Sequence, residues 1–336
     1  MKTYGFYQAL PLDHADSLVE IDMPDQQPGE HDLLIDVKAI AINPVDVKVR
    51  ANSQPAAGEY RIPGWDAAGI VLATGSKVSR FKPGDRVWYA GAMRRHGSYS
   101  PQQLVDERLV GAMPQTLDFA EAASLPLTAI TAWELLFDRL QVQHCDPVEA
   151  GVLLILGAAG GVGSVLLQLA RELTGLTVIG TASRPASQQW VRERGAHHVI
   201  SHAEPLRPQL EALGINEVTH VVGLNNSQAY LTQIVDILRP EGQFALIDDP
   251  KTLDIAPFKL KSLSVHWELM FTRSIFQTDS QVKQHQLLNK LALLVDQGRI
   301  RPTLTEKLQG INLETLKKAH ALVEKGDMLG KVVLTR

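Results

Sequence analysis

The sequence predicts an α/β protein in which a β-rich domain, built from both ends of the chain, is interrupted by a doubly wound parallel-sheet domain. Three observations carry this reading. Short β-like runs broken by Gly and Pro fill the stretch from Met1 to about Phe119. After about Ala120, apolar runs of about five residues alternate with helix-length segments, as expected of parallel strands covered on both faces by crossover helices. Finally, Lys331 to Thr335 closes the chain as a strand with no strand-like neighbour in sequence. One strand cannot form a sheet, so the tail is expected to rejoin the N-terminal domain, leaving the α/β unit as an insertion. The expected division is 1–120 with 261–336, and 121–260.

In the N-terminal part the β-like runs are Leu33 to Ile42, Gly69 to Ala73, Arg86 to Tyr89 and Tyr99 to Asp106. FKPGDRV, Phe81 to Val87, reads as a tight turn feeding a strand, because Pro presets φ and Gly accepts positive φ. The parallel strands are expected at Val152 to Leu156, Thr177 to Thr181, His198 to Ser201, His220 to Val222 and Gln243 to Ile247. Between the first two, Val162, Leu166, Leu169 and Leu173 fall on one helix face. The next helix opens at Pro185 and stops at Gly195, the favoured asymmetry of helix ends. Beyond about Leu260 the alternation fades into two amphipathic helices, Gln281 to Gln297 closed by Gly298, and Leu313 to Lys325 closed by Gly326.

The 336 residues suit two domains, and a hydrophobic content of 45% is ample for ordinary cores. With 33 basic and 37 acidic residues the net charge is −4, so no global field draws the chain to nucleic acid or an anionic membrane; a small-molecule partner is expected. The lone cysteine, Cys145, excludes an intrachain disulfide and a structural thiolate cluster, and fits a reducing compartment. The N-terminus lacks a basic region followed by an apolar stretch, and no run approaches the ~20 apolar residues of a membrane span. A cytoplasmic location is expected.

VLLILGAAGGVGSVLLQLA, Val152 to Ala170, reads as strand, glycine turn and helix. Ala158, Gly160 and Gly163 take the first, third and sixth places of the dinucleotide fingerprint within the turn Gly157-Ala158-Ala159-Gly160-Gly161-Val162-Gly163. Gly160 would let backbone approach a pyrophosphate, Gly163 would allow close helix packing, and free N–H groups at the helix start would receive the anion. The alternative is a tightly packed turn without a ligand. At the end of the second strand, NAD-binders carry an acid and NADP-binders a cation for the 2′-phosphate. Here Gly180-Thr181-Ala182-Ser183-Arg184 offers no carboxylate; Ser183 can donate a hydrogen bond and Arg184 can fork onto a phosphate, so NADPH is the expected cofactor. Otherwise Arg184 is a cation on a solvated helix start.

With these motifs in order, the chain resembles the medium-chain dehydrogenase/reductase superfamily, in its zinc-type alcohol dehydrogenase-like and quinone oxidoreductase branches. The resemblance rests on NPVDVKVR (Asn43 to Arg50), PGWDAAGIV (Pro63 to Val71), FKPGDRVW (Phe81 to Trp88), LPLTAITAW (Leu125 to Trp133), GAAGGVGS (Gly157 to Ser164) and GKVVL (Gly330 to Leu334). It implies a GroES-like catalytic domain from both chain ends, an inserted Rossmann domain, an active site between them, and a homodimer paired through the edge strand of the cofactor domain. Zinc-bearing members hold their catalytic metal with a Cys, a His and a second Cys or Asp. Here those places correspond to Asn43, Trp65 and approximately Leu127, none able to replace a thiolate or imidazole. The family's four-cysteine structural lobe is absent too. In HHVISH, His198 and His202 share a strand face while His197 points away, which gives two metal-ligand candidates rather than three. His202 also falls where relatives place a ring near the adenosine phosphate, so cofactor contact or surface exposure is preferred and no metal is expected.

Without a Lewis acid the acceptor must be intrinsically electrophilic, as quinones and α,β-unsaturated carbonyls are. By resemblance, Asn43 and Thr131 sit beside the nicotinamide, and the frame Asn43, Asp46, Arg50 matches the quinone reductase pattern. Lys48 stands where many quinone reductases have Tyr; its ammonium could stabilise an enolate or deliver a proton, or it could pair with Asp46 or lie exposed. Tyr60 and Trp65 lie toward the expected cleft and suit a flat acceptor, or else pack under the PGWDAAG turn, a reading that fits Trp65 better than Tyr60. His96 could be a proton donor in principle, but no spacing argument supports it. Phe271 could reach the nicotinamide or pack in the core, and Asn225 could touch the cofactor or cap the next helix. Two rivals stand beside the reductase: an NADPH-binding regulatory protein without turnover, and a zinc alcohol dehydrogenase or aldehyde reductase.

Overall fold

The computed structural model describes residues 1–142 and 151–336; Cys145, on which the redox-compartment reading rests, lies outside the described residues. The chain divides into two compact units, Met1–Ile130 with Phe271–Arg336, and Thr131–Met270.

The first unit lays down β1 (Lys2–Gly5), β2 (Val19–Asp22), β3 (Asp32–Ala41), α1 (Pro44–Asn52), β4 (Ala67–Thr74), β5 (Arg86–Tyr89), β6 (Gln102–Asp106), β7 (Val110–Ala112) and α2 (Phe119–Ala123). Pro83-Gly84-Asp85 turns as expected, with Gly84 at φ +94° ahead of β5. Along most of β3 burial alternates, so that Leu33, Ile35 and Val37 point into the core between outward neighbours. Asn43, extended at φ −122° and ψ 159°, starts α1: Pro44 follows, and the Asp46 carboxylate accepts the Asn43 N–H at 2.8 Å. Asp118 and Glu121 form a capping box that starts α2. This helix packs on β3 and β4, which holds residues 121–130 with the first unit, past the expected division at 120. Next, α3 (Pro126–Trp133) runs into a π-helical turn, Glu134–Arg139.

The second unit alternates β8 (Val152–Leu156), α4 (Gly161–Leu173), β9 (Thr177–Thr181), α5 (Pro185–Glu193), β10 (His198–Ile200), α6 (Leu206–Ala212), β11 (Val218–Gly223), α7 (Ser227–Ile237), β12 (Leu238–Leu246) and β13 (Ser264–Trp267). All six strands are parallel, in the order β10-β9-β8-β11-β12-β13. The order reverses between β8 and β11, the switch point at which open α/β sheets bind ligands beyond their strand ends. The strand β13 lies past the point where the sequence alternation fades. It sits at the sheet edge, so it can carry the polar Ser264 and His266.

The chain then returns through α8 (Thr272–Ile275), α9 (Val282–Asp296), β14 (Leu304–Gln309), α10 (Leu313–Glu324) and β15 (Lys331–Thr335). As the lone terminal strand required, β15 enters the first unit's sheet, in the order β14-β15-β3-β4-β5-β7 with β6 also on β3. The expected fold class is thus observed, a GroES-like β-rich unit and a Rossmann-type parallel sheet. No helix among the described residues is long and apolar enough to cross a membrane.

Candidate functional site

In the second unit the glycine turn joins β8 to α4 at the switch point. Gly157 has φ +80°, a left-handed conformation that favours glycine, while a Cβ there would meet Leu224 and Asn225 only at ordinary contact distances of 3.5 and 3.8 Å. A Cβ on Gly163 would lie 2.5 Å from the Ala158 carbonyl oxygen, so only glycine lets α4 start this close to the turn. Gly160 differs: its nearest neighbour would be Gly157 O at 3.7 Å, which leaves open space above the turn. The N–H groups of Gly161, Val162 and Gly163 open the 13-residue α4 without intrahelical acceptors. Space, free donors and the positive end of the helix fit a pyrophosphate.

Thr181 Oγ1 accepts the Gly157 N–H at 3.2 Å, tying the end of β9 to the turn. Ser183 and Arg184 follow, both exposed, with Arg184 extended before α5 and its N–H held by Ser187 Oγ at 3.2 Å. His202 follows β10 in a turn, its carbonyl accepting from Tyr230 Oη at 3.2 Å. Asn225 is exposed after β11. It does not cap α7: Asn226 is the cap residue, and Asp248 accepts from both Ser227 N–H and Ser227 Oγ–H, at 2.7 and 2.6 Å. Thr131 is buried in α3.

The first unit holds Asn43, Asp46, Lys48, Tyr60, Trp65 and Phe271. Asn43 and Asp46 lie in a buried polar cluster that the sequence reading did not assemble. Lys331 Nζ donates to Asn43 Oδ1, to Ile42 O at 3.0 Å and to Asp66 Oδ2 at 3.2 Å. Asn43 Nδ2 donates to the same Asp66 oxygen at 3.1 Å, while Asp66 Oδ1 accepts the Leu127 N–H at 3.0 Å. Asn43, Asp46, Asp66 and Lys331 are each at most 3% exposed, which makes every one of these bonds internal. Burial pushes the Asp66 carboxyl up and the Lys331 ammonium down, and their mutual attraction opposes both shifts. Burial likewise raises Asp46 to about 7, against the Asn43 N–H bond and the Lys331 charge. Tyr99 lies close to Asp46 and bonds His320 Nε2 through its hydroxyl at 2.8 Å.

This chemistry does not fit a catalytic zinc at the corresponding places. The Asn43 amide is committed to Lys331 and Asp66, the Trp65 indole is a donor only, and Leu127 offers no side-chain ligand. Among the described residues no three His, Cys, Asp or Glu side chains gather as a metal site.

Trp65 is buried, packing edge-on against Phe271 at 6.1 Å, with its indole N–H toward Ala92 O at 3.4 Å. Phe271 is also buried. Tyr60 stays partly exposed and stacks on His96 with centroids 5.3 Å apart. On α1, Asp46 and Arg50 share the buried face and Lys48 the exposed one.

Comparison with known proteins places these features. Residues 29–127 match the alcohol dehydrogenase GroES-like domain, and residues 194–334 match the zinc-binding dehydrogenase domain. The chain is 36% identical to a zinc-type alcohol dehydrogenase-like protein of Staphylococcus aureus, over 99% of each. It is 32% identical to a quinone oxidoreductase of Pongo abelii, over 91% of this chain and 90% of the relative. A crystal structure from Rhizobium etli CFN 42, provisionally described as a zinc-dependent alcohol dehydrogenase, is 49% identical with a TM-score of 0.96, over 100% of this chain and 98% of that one.

Proposed function

The chain belongs to the medium-chain dehydrogenase/reductase superfamily, in its zinc-type alcohol dehydrogenase-like and quinone oxidoreductase branch, and from that membership we propose an NADPH-dependent reductase that passes hydride to a quinone or an α,β-unsaturated carbonyl without zinc. The observation that carries the reading is the commitment of Asn43 to Lys331 and Asp66 at a place where zinc-bearing relatives hold their metal. The acceptor must then be activated by its own conjugation.

Bound NADPH would supply the hydride. The turn from Gly157 to Gly163 holds the pyrophosphate, Ser183 and Arg184 take the 2′-phosphate, and His202 and Asn225 flank the nucleotide. Thr131, Asn43 and Phe271 belong to the nicotinamide end. Tyr60 offers a flat face to the acceptor, with Trp65 packed behind it, and Lys48 presents an ammonium as a proton source while Asp46 holds the start of α1. On an enone, hydride forms a C–H bond at the β-carbon, the C=C pair shifts into the bond between the α-carbon and the carbonyl carbon while the C=O pair moves onto oxygen as an enolate, and protonation of the enolate at the α-carbon completes the reduction. The chain is also proposed to pair as a homodimer along β13, where Trp267 is 53% exposed and nearby Leu260 93%; a monomeric mass at micromolar concentration would overturn that.

The test is NADPH oxidation by chelator-treated protein offered 1,4-benzoquinone, benzylideneacetone and butanal. Turnover of the conjugated acceptors alone is expected. Butanal turnover restored by zinc would overturn the reading in favour of an alcohol dehydrogenase. Bound NADPH with no turnover would overturn it in favour of a regulatory protein.

A further inference from the structure

Arg61 is a partly buried cation with no acid beside it among the described residues. Its backbone is pinned by a two-way bridge to Phe6, at 2.9 and 3.0 Å. Its guanidinium donates to Ser53 Oγ at 3.0 Å and to Met93 O at 2.7 Å, and lies 5.9 Å from the Trp65 ring centroid. All of these neighbours are neutral. Elsewhere in the same unit Arg50, Arg80, Arg95 and Arg108 each meet a carboxylate: Glu324, Glu107, Asp32 and Asp106. Among the described residues Arg61 meets none, and nothing opposes the loss of hydration that lowers its pKa. Holding a cation out of water without a counter-charge is costly, and an arriving anion would relieve that cost. The donors are available, since a guanidinium carries five N–H groups and the two bonds above use two.

Aromatic faces lie close by in the same unit. Tyr60 stacks on His96 at an interplanar angle of 15°, and Tyr7, 46% exposed, meets Tyr60 edge-on at 6.0 Å. Burial and the Arg61 charge hold His96 below its ordinary pKa, so the ring is neutral near pH 7 and Arg61 is left as the fixed charge. We propose that Arg61 binds a carboxylate, and that the acceptor of this chain is a conjugated carbonyl compound bearing one. The second half rests on the reductase reading; the anion site itself does not.

The test has two arms on the full chain. In the first, benzoate is titrated by calorimetry, with the His96 ring followed by NMR. Benzoate is expected to bind and to raise the His96 pKa, whereas neutral benzamide does neither. Arg61→Met should abolish both effects, and Arg61→Lys should keep part of the affinity. No benzoate binding, or equal binding to Arg61→Met, overturns the site; should Arg61→Met fail to fold, the contrast of benzoate with benzamide in the unaltered chain decides. In the second arm, the KM for 4-carboxybenzylideneacetone is expected to lie at least about tenfold below that for benzylideneacetone, a preference that collapses toward one in Arg61→Met. Equal KM values in the unaltered protein overturn the acceptor assignment. Arg61-dependent benzoate binding without reduction of either enone would leave the anion site standing and strike the reductase reading alone.

Discussion

Asp66 and Lys331, from opposite ends of the chain, meet at 3.2 Å with side chains 0% and 3% exposed. Between them they hold the Asn43 side chain and the Leu127 N–H, so one ion pair fastens the starts of α1 and α3 to the closing strand.

Removing one partner should therefore cost far more than removing both. Lys331→Met strands the Asp66 carboxylate and deprives Asn43 Oδ1 of its donor; breaking a buried pair this way costs about 3–5 kcal/mol. The double variant Lys331→Met, Asp66→Asn takes the charge away from both sides and should recover a good part of that loss. Urea unfolding of the two singles and the double checks this, and strict additivity would show that the pair is not coupled.

Much of this architecture was legible in the sequence because its signals were local. The glycine turn, the apolar runs of β8 and β9 and the closing β15 each announce themselves within about ten residues. Two edge strands do not: β13 and β14 carry Ser, His, Thr, Glu and Lys because one side of each is unpaired by neighbours, whereas the edge strand β10 was legible. The buried cluster was half visible. Asp66 and Lys331 each stand at the head of an apolar run, DAAGIV and KVVL, and a charge there calls for a buried partner; 265 residues of separation hide which one. Arg61 gave no signal, since what distinguishes it is that no carboxylate among the described residues meets it in space, rather than anything beside it in sequence.

Asp46 makes the stability of the first unit depend on pH. Burial lifts its carboxyl to about 7, above the unfolded value of about 3.9, with the Asn43 N–H and Lys331 pulling it down and Asp66 pushing it up. The native state thus favours the protonated acid. Its contribution is fully present below about pH 4 and is lost as pH rises through 7, on the order of 1.4 kcal/mol per pH unit between. Asp46→Asn keeps a neutral acceptor for the Asn43 N–H and removes the titration. The stability difference between unaltered protein and variant should shift against the unaltered protein from pH 5 to pH 7; a difference that stays flat would show that Asp46 is ionised throughout.

The glycines of the turn separate binding from folding. Gly163→Ala puts a Cβ 2.5 Å from Ala158 O, a clash with backbone that must move α4, so both melting temperature and NADPH affinity should fall. Gly160→Ala meets nothing nearer than 3.7 Å, and its new methyl projects over the turn. Its melting temperature should stay within about 2 °C of the unaltered protein, given the small ΔΔG of an unclashed surface change. Its NADPH dissociation constant should rise at least about tenfold through lost backbone approach to the pyrophosphate. Equal NADPH binding by Gly160→Ala would mean that the phosphates do not lie against this turn.

The choice between the two dinucleotides falls to the end of β9, where an exposed Arg184 stands and no carboxylate follows the strand. A forked guanidinium–phosphate contact is worth about 1.5–3 kcal/mol, so Arg184→Ala should weaken NADPH by about ten- to a hundredfold. NADH carries no 2′-phosphate, and its affinity should change by less than about threefold, a side chain at an exposed helix start contributing little else. Fluorescence titration of the two nucleotides against both proteins measures the ratio directly. Equal weakening would place the 2′-phosphate elsewhere and leave Ser183 and Arg184 as ordinary residues ahead of α5.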